Sequence, residues 1–306
     1  MNYPIHKDFW WMQYMHMSKN LSLLSIENWI LKVAYSMTGK GKGIIKKQIQ
    51  VKTKDNALIE VELFYPKNAD NNAKALLYLP GGGFMMRATH IHKINLCHIV
   101  RRTNTIGIMI HYRLAPKYPF PTALNDAIDV LNYVYSNATS LGINPDLLAI
   151  GGDSAGGNLA CGLALYNQDH LHFPIKSLML VYPGLVKGIS TPSRKNYTNT
   201  PMFNASMFPL IEKVFYKNGT ADLEQYAFPM LHPHIHSIGS VYIETAEYDC
   251  LVDEGLMFHE RLMKLNIPST LHATKGTVHG YDVVQRSHIT KESIQKRCEF
   301  INETLK

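Results

Sequence analysis

Cysteine is scarce in this chain: four in 306 residues, at positions 97, 161, 250 and 298, with no C-x-x-C spacing. That pattern fits a reduced, cytoplasmic protein better than a disulfide framework or a cysteine-built zinc site. Long apolar runs are absent too. None approaches the ~18 uninterrupted apolar residues of a membrane helix, and the longest, such as 106–110, are strand-sized. The early stretch 21–37 does not read as a secretory leader, because Glu27, Asn28 and Lys32 interrupt it and leave an amphipathic helical pattern. Acidic residues are outnumbered 24 to 31, for a net charge of +7. Most of the excess is lysine scattered along the chain. The one cluster, Lys40, Lys42, Lys46 and Lys47 followed by Lys52 and Lys54, reads as a solvated face, so nucleic acid is not an expected partner. Internal repeats and low-complexity segments are missing as well.

What is present is enough apolar material, 46% of the residues, for one large α/β domain with insertions. Residues 1–45 read as two helical segments, the first rich in aromatics and methionine (Phe9, Trp10, Trp11, Tyr14, Met15), the second over 21–36. β-rich runs at 45–52 and 58–65, split by Lys54, Asp55 and Asn56, predict an antiparallel hairpin. The pattern then alternates. Strands are expected at 75–79, 105–112, 147–151 and 177–182, and helices at 90–102, 121–136 and 155–167. This is the signature of a mostly parallel sheet with helices on both faces. The alternation stops over 184–236, where one helix is expected at 205–216. It resumes with strands at 240–245 and 269–273 and helices at 253–265 and 287–303. A fifty-residue interruption inside a sheet is expected to form a cap.

The most informative segment is Gly151-Gly152-Asp153-Ser154-Ala155-Gly156-Gly157-Asn158, between a strand and a helix. G-x-S-x-G in that context is a nucleophile elbow: a tight, strained turn exposes the serine hydroxyl, and glycines at 152 and 156 leave room for neighbouring backbone. A phosphate-binding reading fails, since the Walker lysine and the G-x-G-x-x-G spacing are both missing. Upstream, Pro80-Gly81-Gly82-Gly83-Phe84 follows a buried strand. There the N–H groups of Gly82 and Gly83, with that of Ala155, are positioned to hold an oxyanion.

A serine nucleophile needs a base, and the base an orienting acid. Fifteen histidines compete. The chain order serine, acid, histidine favours a late one. His259 falls within a helix, His272 within a strand and His288 at a helix start. His279, in a loop between Gly276 and Gly280, is the expected base. Among the carboxylates of 247–254, Asp249 lies just past a strand's carboxyl end, where open α/β sheets collect their sites. Asp253 and Glu254 read instead as helix N-cap and dipole residues. His232, His234 and His236 alternate as strand neighbours would, but no local cysteine or carboxylate completes a metal site. The aromatic stretch 9–17 reads as a cap segment packed over an acyl pocket rather than a membrane foot.

Five pieces, in order over residues 75–285, resemble the hormone-sensitive-lipase-like branch of the α/β-hydrolase fold, a group of mainly bacterial carboxylesterases. They are Gly81-Gly82-Gly83-Phe84, Tyr112-Arg113-Leu114-Ala115-Pro116 with Phe120-Pro121, the elbow, the segment from Asp249 to Gly255, and His279-Gly280. The resemblance implies a triad of Ser154, Asp249 and His279 and an oxyanion hole of Gly82, Gly83 and Ala155. It further implies a core of 46–183 and 237–306 under a cap made of 1–45 and 184–236. Phe84 and Asp153 are expected to meet the substrate. No metal or organic cofactor is implied. The expected partner is a small-molecule ester, with neither nucleic acid nor stable membrane insertion, and the chain is compatible with a homodimer.

Two departures stand out. Pro80 replaces the family's usual histidine, and Lys117 its usual glutamate. The Tyr112–Pro121 block reads as a buttress for the site. The function expected is hydrolysis of short-chain acyl esters through an acyl-enzyme. The competing readings are a non-catalytic small-molecule-binding protein on the same scaffold, and an acyl transferase or amidase with the same triad.

Overall fold

The computed structural model describes residues 3–188 and 191–306. Residues 1, 2, 189 and 190, which fall within the two expected cap segments, lie outside the described residues.

A 3₁₀ helix (Lys7–Tyr14) and α1 (Leu24–Met37) precede the sheet. The core then runs β1 (Ile44–Lys52), β2 (Leu58–Pro66), β3 (Ala73–Leu79), α2 (His90–Thr103), β4 (Ile106–Ile110), α3 (Thr122–Ser136), β5 (Ile143–Asp153), α4 (Ala155–Tyr166) and β6 (Ile175–Val181). Short helices α5 (Pro192–Asn196), α6 (Phe208–Val214) and α7 (Glu224–Ala227) fill the interruption. It is followed by β7 (Ser240–Tyr248), α8 (Val252–Lys264), β8 (Ser269–Val278) and α9 (His288–Thr304).

The strand order is β1-β2-β4-β3-β5-β6-β7-β8. β1 and β2 form the predicted hairpin, β2 pairs antiparallel with β4, and every later pairing is parallel. Period-two alternation splits each central strand between two cores. Ala75, Leu77 and Leu79 of β3, with Leu148 and Ile150 of β5, face α3, α4 and α8. Leu76, Tyr78 and Ala149 face α2 and α9 on the other side. Both faces are covered, so the strands are nearly continuous in apolar residues, as buried parallel strands must be.

Differences from the sequence reading are confined to element ends and to the interruption. β5 is longer than the expected 147–151, because Ile143 also pairs with Ala73. The expected helix 205–216 is divided into a 3₁₀ turn, Ala205–Met207, and α6. Pro209 explains the break: it lacks the N–H that would continue the hydrogen-bond ladder backward.

Candidate active site

The elbow joins β5 to α4. Ser154 has φ 53° and ψ −119°, backbone that a side-chain-bearing residue adopts only when its surroundings enforce it. The Ser154 N–H donates to the Val181 carbonyl at 2.9 Å, which ties the turn to β6. A methyl group on Gly156 would overlap the Leu79 carbonyl, and one on Gly152 would overlap the carbonyl of Gly156. Glycine is required at both places for the crossing chains to pass.

The β7 and β8 ends bring the other two groups to this hydroxyl. Asp249 follows β7 directly and is fully buried, and its Oδ1 accepts the Leu251 N–H at 3.0 Å. His279 follows β8. Its Nδ1 lies 2.7 Å from Asp249 Oδ2, and its Nε2 lies 2.8 Å from Ser154 Oγ. Three residues separated by 125 positions in sequence thus form one hydrogen-bonded line. Burial alone would depress the imidazole pKa. The charge and hydrogen bond of Asp249 outweigh it, and the pKa of His279 is raised. The other late histidines are placed elsewhere: His259 bonds Ser269, His272 bonds Ser293, and His288 is exposed.

The glycine loop lies beside the serine. Gly82 and Gly83 have φ of +127° and +59°, and among the described residues their N–H groups donate to no backbone acceptor. Ala155 opens α4, so its N–H is one of the orphan donors of a helix start. Gly83 and Ala155 line the same cavity as Ser154, and among the described residues neither N–H has an internal acceptor. Pro80 does not loosen this loop. Its carbonyl accepts the Tyr112 hydroxyl at 2.6 Å, and the Ala115 N–H donates to the Phe84 carbonyl at 3.0 Å. The Tyr112–Pro121 block thus buttresses the loop.

Asp153 is not where the sequence reading put it. Its carboxylate is buried, accepts from Tyr78 at 2.6 Å and from the Gly81 N–H at 3.1 Å, and pairs with His92 Nε2 at 3.0 Å. It fastens the glycine loop from behind and does not line the cavity in front of Ser154. Burial opposes its charge, but His92 and these donors lower its pKa, and that of His92 is correspondingly raised. Strand alternation explains the error: Asp153 ends β5 with its side chain pointing to the α2 side.

Phe84, by contrast, lines a narrow cavity of about 50 Å³ together with Ser154, Ala155, Phe203, Phe208 and Phe228. Phe84 stacks on Phe215 at 3.9 Å. Residues of the 184–236 interruption thus cover the serine. Asp253 and Glu254 hold that segment down: they do not cap α8, whose N-cap is Leu251 without a side-chain bond, but both lie in its first turn, where the helix dipole favours acidic groups as expected. Glu254 is fully buried, pairs with Arg194 at 2.5 Å and accepts the N–H groups of Leu185 and Val186. Asp253 accepts the Ser193 N–H at 2.7 Å.

The stretch 9–17 is likewise corrected. Phe9 and Met12 are buried, Phe9 edge-on to Tyr281, while Trp10, Trp11, Tyr14 and Met15 face solvent. Met17 alone of this stretch reaches the glycine loop, against Gly83. The histidines at 232–236 do not converge: His232 is buried against Asp169, and His234 and His236 are exposed. Sequence reasoning missed Tyr182 and Phe203, whose rings lie 4.8 and 5.1 Å from that of His279. Neither sits in a motif. Only the strand end at β6 pointed toward Tyr182.

A family model described as the alpha/beta hydrolase fold matches residues 76–283. The chain belongs to that family, within its hormone-sensitive-lipase-like branch. It is 28% identical over 228 residues to esterase LipI of Mycobacterium tuberculosis, covering 73% of this chain and 71% of that one. It is also 28% identical over 237 residues to ethyl acetate hydrolase of Pseudomonas putida, covering 76% and 74%. Among solved structures it superposes on esterase LipW from Mycobacterium marinum with a TM-score of 0.91 at 24% identity, covering 98% of this chain and 96% of that one.

Proposed function

We propose that the protein is a serine carboxylesterase that cleaves short-chain acyl esters through an acyl-enzyme. The observation carrying this reading is the unbroken line Ser154–His279–Asp249, with spacings of 2.8 and 2.7 Å. His279 Nε2 takes the Ser154 proton as Oγ bonds to the ester carbonyl carbon. The carbonyl oxygen becomes an oxyanion held by the N–H groups of Gly82, Gly83 and Ala155. As it re-forms the double bond, the alkoxide leaves and takes the proton from His279. Water then repeats the sequence: His279 removes its proton, the hydroxide adds to the acyl carbon, and collapse returns the proton to Ser154 and releases the acid. Asp249 keeps Nδ1 protonated and stabilises the imidazolium in both halves.

A cavity of about 50 Å³ lined by Phe84, Phe203, Phe208 and Phe228 suits an acyl group of few carbons. The name of the Pseudomonas putida relative, an acetate-ester hydrolase, agrees with that size. Segment 184–236 serves as the cap over this space, and the N-terminal segment adds to it through Met17, which packs on Gly83. The reading is tested with p-nitrophenyl acetate. The wild type turns it over and Ser154→Ala is slower by at least ~10⁴-fold; equal rates for the two proteins would reject the reading in favour of ligand binding. Addition of alcohol or amine acceptors should leave free acetate as the main product, whereas a dominant acetyl-transfer product would mark a transferase.

A further inference from the structure

We propose that the N-terminal segment is a docking face for an anionic lipid surface. Eleven of the seventeen exposed large hydrophobic side chains among the described residues lie between positions 10 and 37, so the exposure is concentrated rather than scattered. All three tryptophans of the chain, Trp10, Trp11 and Trp29, are among them. On α1 the exposed apolar residues fall at Leu23, Ile26, Trp29, Ile30, Val33 and Met37, with Trp29 65% and Met37 81% exposed. At 3.6 residues per turn these positions form one stripe roughly 120° wide. The opposite side of the same helix is already occupied. Tyr35 is buried and bonds Glu62, and Asn28 donates to the Met85 carbonyl at 2.9 Å. The outward stripe is therefore a second apolar face, larger than solvent-exposed positions call for.

Charge selects the occupant. Residues 1–45 contain five lysines against Asp8 and Glu27, a net +3. Lys32 sits on α1 itself, and Lys40 and Lys42 follow its carboxyl end, all exposed. Aromatic and aliphatic residues bordered by lysine are the composition that settles into the headgroup layer of an anionic bilayer. A second copy of this chain would bring two such positive faces together, which disfavours self-association there. The contact is adsorption and not insertion, since no helix among the described residues is long and apolar enough to cross a membrane. The inner side of the same segment touches the reactive end of the sheet: the His6 N–H donates to the Gly276 carbonyl, and Met17 packs on Gly83.

The test does not depend on turnover. Because all three tryptophans are exposed in the N-terminal segment, and Trp29 lies in the α1 stripe itself, their emission reports docking of that segment directly. The full chain is titrated with vesicles of phosphatidylcholine containing phosphatidylglycerol, and with phosphatidylcholine alone. The anionic vesicles should shift the emission to the blue, bromine-labelled acyl chains should quench it, and affinity should fall at least ~10-fold on neutral vesicles or in high salt. Ile26→Glu/Ile30→Glu should lose binding by a similar factor with p-nitrophenyl acetate hydrolysis unchanged. Lys40→Gln/Lys42→Gln, at exposed positions, should weaken binding to the anionic vesicles only. No spectral shift on either vesicle, undiminished binding by both variants, or a dimer in light scattering that Ile26→Glu/Ile30→Glu converts to monomer would overturn the proposal.

Discussion

Ser154 and His279 are both kept in states that cost energy in isolation. The serine occupies backbone with φ 53°, and the imidazole is buried where its cation would be unstable without Asp249. Each cost is offset by a partner that matters to the proposed chemistry, which is why the carboxylate is the sharpest residue-scale test. Asp249→Asn should lower kcat by ~10³–10⁴-fold, because the amide favours the wrong tautomer. Asp253→Asn should leave kcat within about twofold while lowering Tm by a few degrees, since the amide oxygen can still accept the Ser193 N–H and only the charge that strengthens that bond and favours the α8 N-terminus is lost. The reverse pattern would move the triad acid to Asp253. The base must be neutral to accept a proton, and its pKa is raised, so kcat/KM should climb through an acid limb centred above the ordinary imidazole value of about 6.5. A limb centred below that value would contradict the buried pairing with Asp249.

At the scale of elements, two buried ionic arrangements hold moving parts against the sheet. Arg194 and Glu254 clamp the segment covering the serine onto α8. Glu254→Ala would leave the Arg194 charge buried and unpaired, and unfolding measured by urea should show a loss of about 3–5 kcal/mol. Replacing both partners by apolar residues of similar volume should restore most of it. Little change in the single variant would mean that the clamp is solvated. The second arrangement, Asp153 with His92, secures the glycine loop to α2. His92 has a raised pKa, so its contribution is complete at low pH and is lost as pH rises through that value. Asp153 has a lowered pKa, so its contribution is lost as pH falls through its own. Stability should therefore be greatest between the two values, and His92→Gln should flatten the alkaline side of a Tm-against-pH curve. An unchanged alkaline slope would show that the pair does not couple to folding.

Across the whole molecule, legibility in the sequence followed how local the physics is. The sheet, its hairpin and the helices were readable because apolar periodicity reports burial directly. The elbow was readable because a turn that tight leaves few residue choices. Chain order and strand ends point to Asp249 and His279, and the structure places His279 within hydrogen-bond reach of both Asp249 and Ser154. Asp153 was misplaced since strand alternation at the last residue of β5 depends on where the strand stops, and the sequence reading stopped it at 151. Asp253 and Glu254 were read as caps because their partners, Ser193 and Arg194, lie about sixty residues away. The aromatic stretch at 9–17 was read as inward-facing, whereas a 3₁₀ helix turns Trp10, Trp11 and Tyr14 outward. Long-range pairing, in each case, is what periodicity does not encode.

The central claim is that one hydroxyl, supplied by Ser154, bonds to the acyl carbon while three backbone N–H groups receive the oxygen. A crystal structure of the protein reacted with a small serine-directed phosphonate ester tests it most directly. Phosphorus should be bonded to Ser154 Oγ, with a phosphoryl oxygen within hydrogen-bond reach of the Gly82, Gly83 and Ala155 nitrogens. A probe bonded to another residue, or a phosphoryl oxygen turned away from those nitrogens, would contradict it.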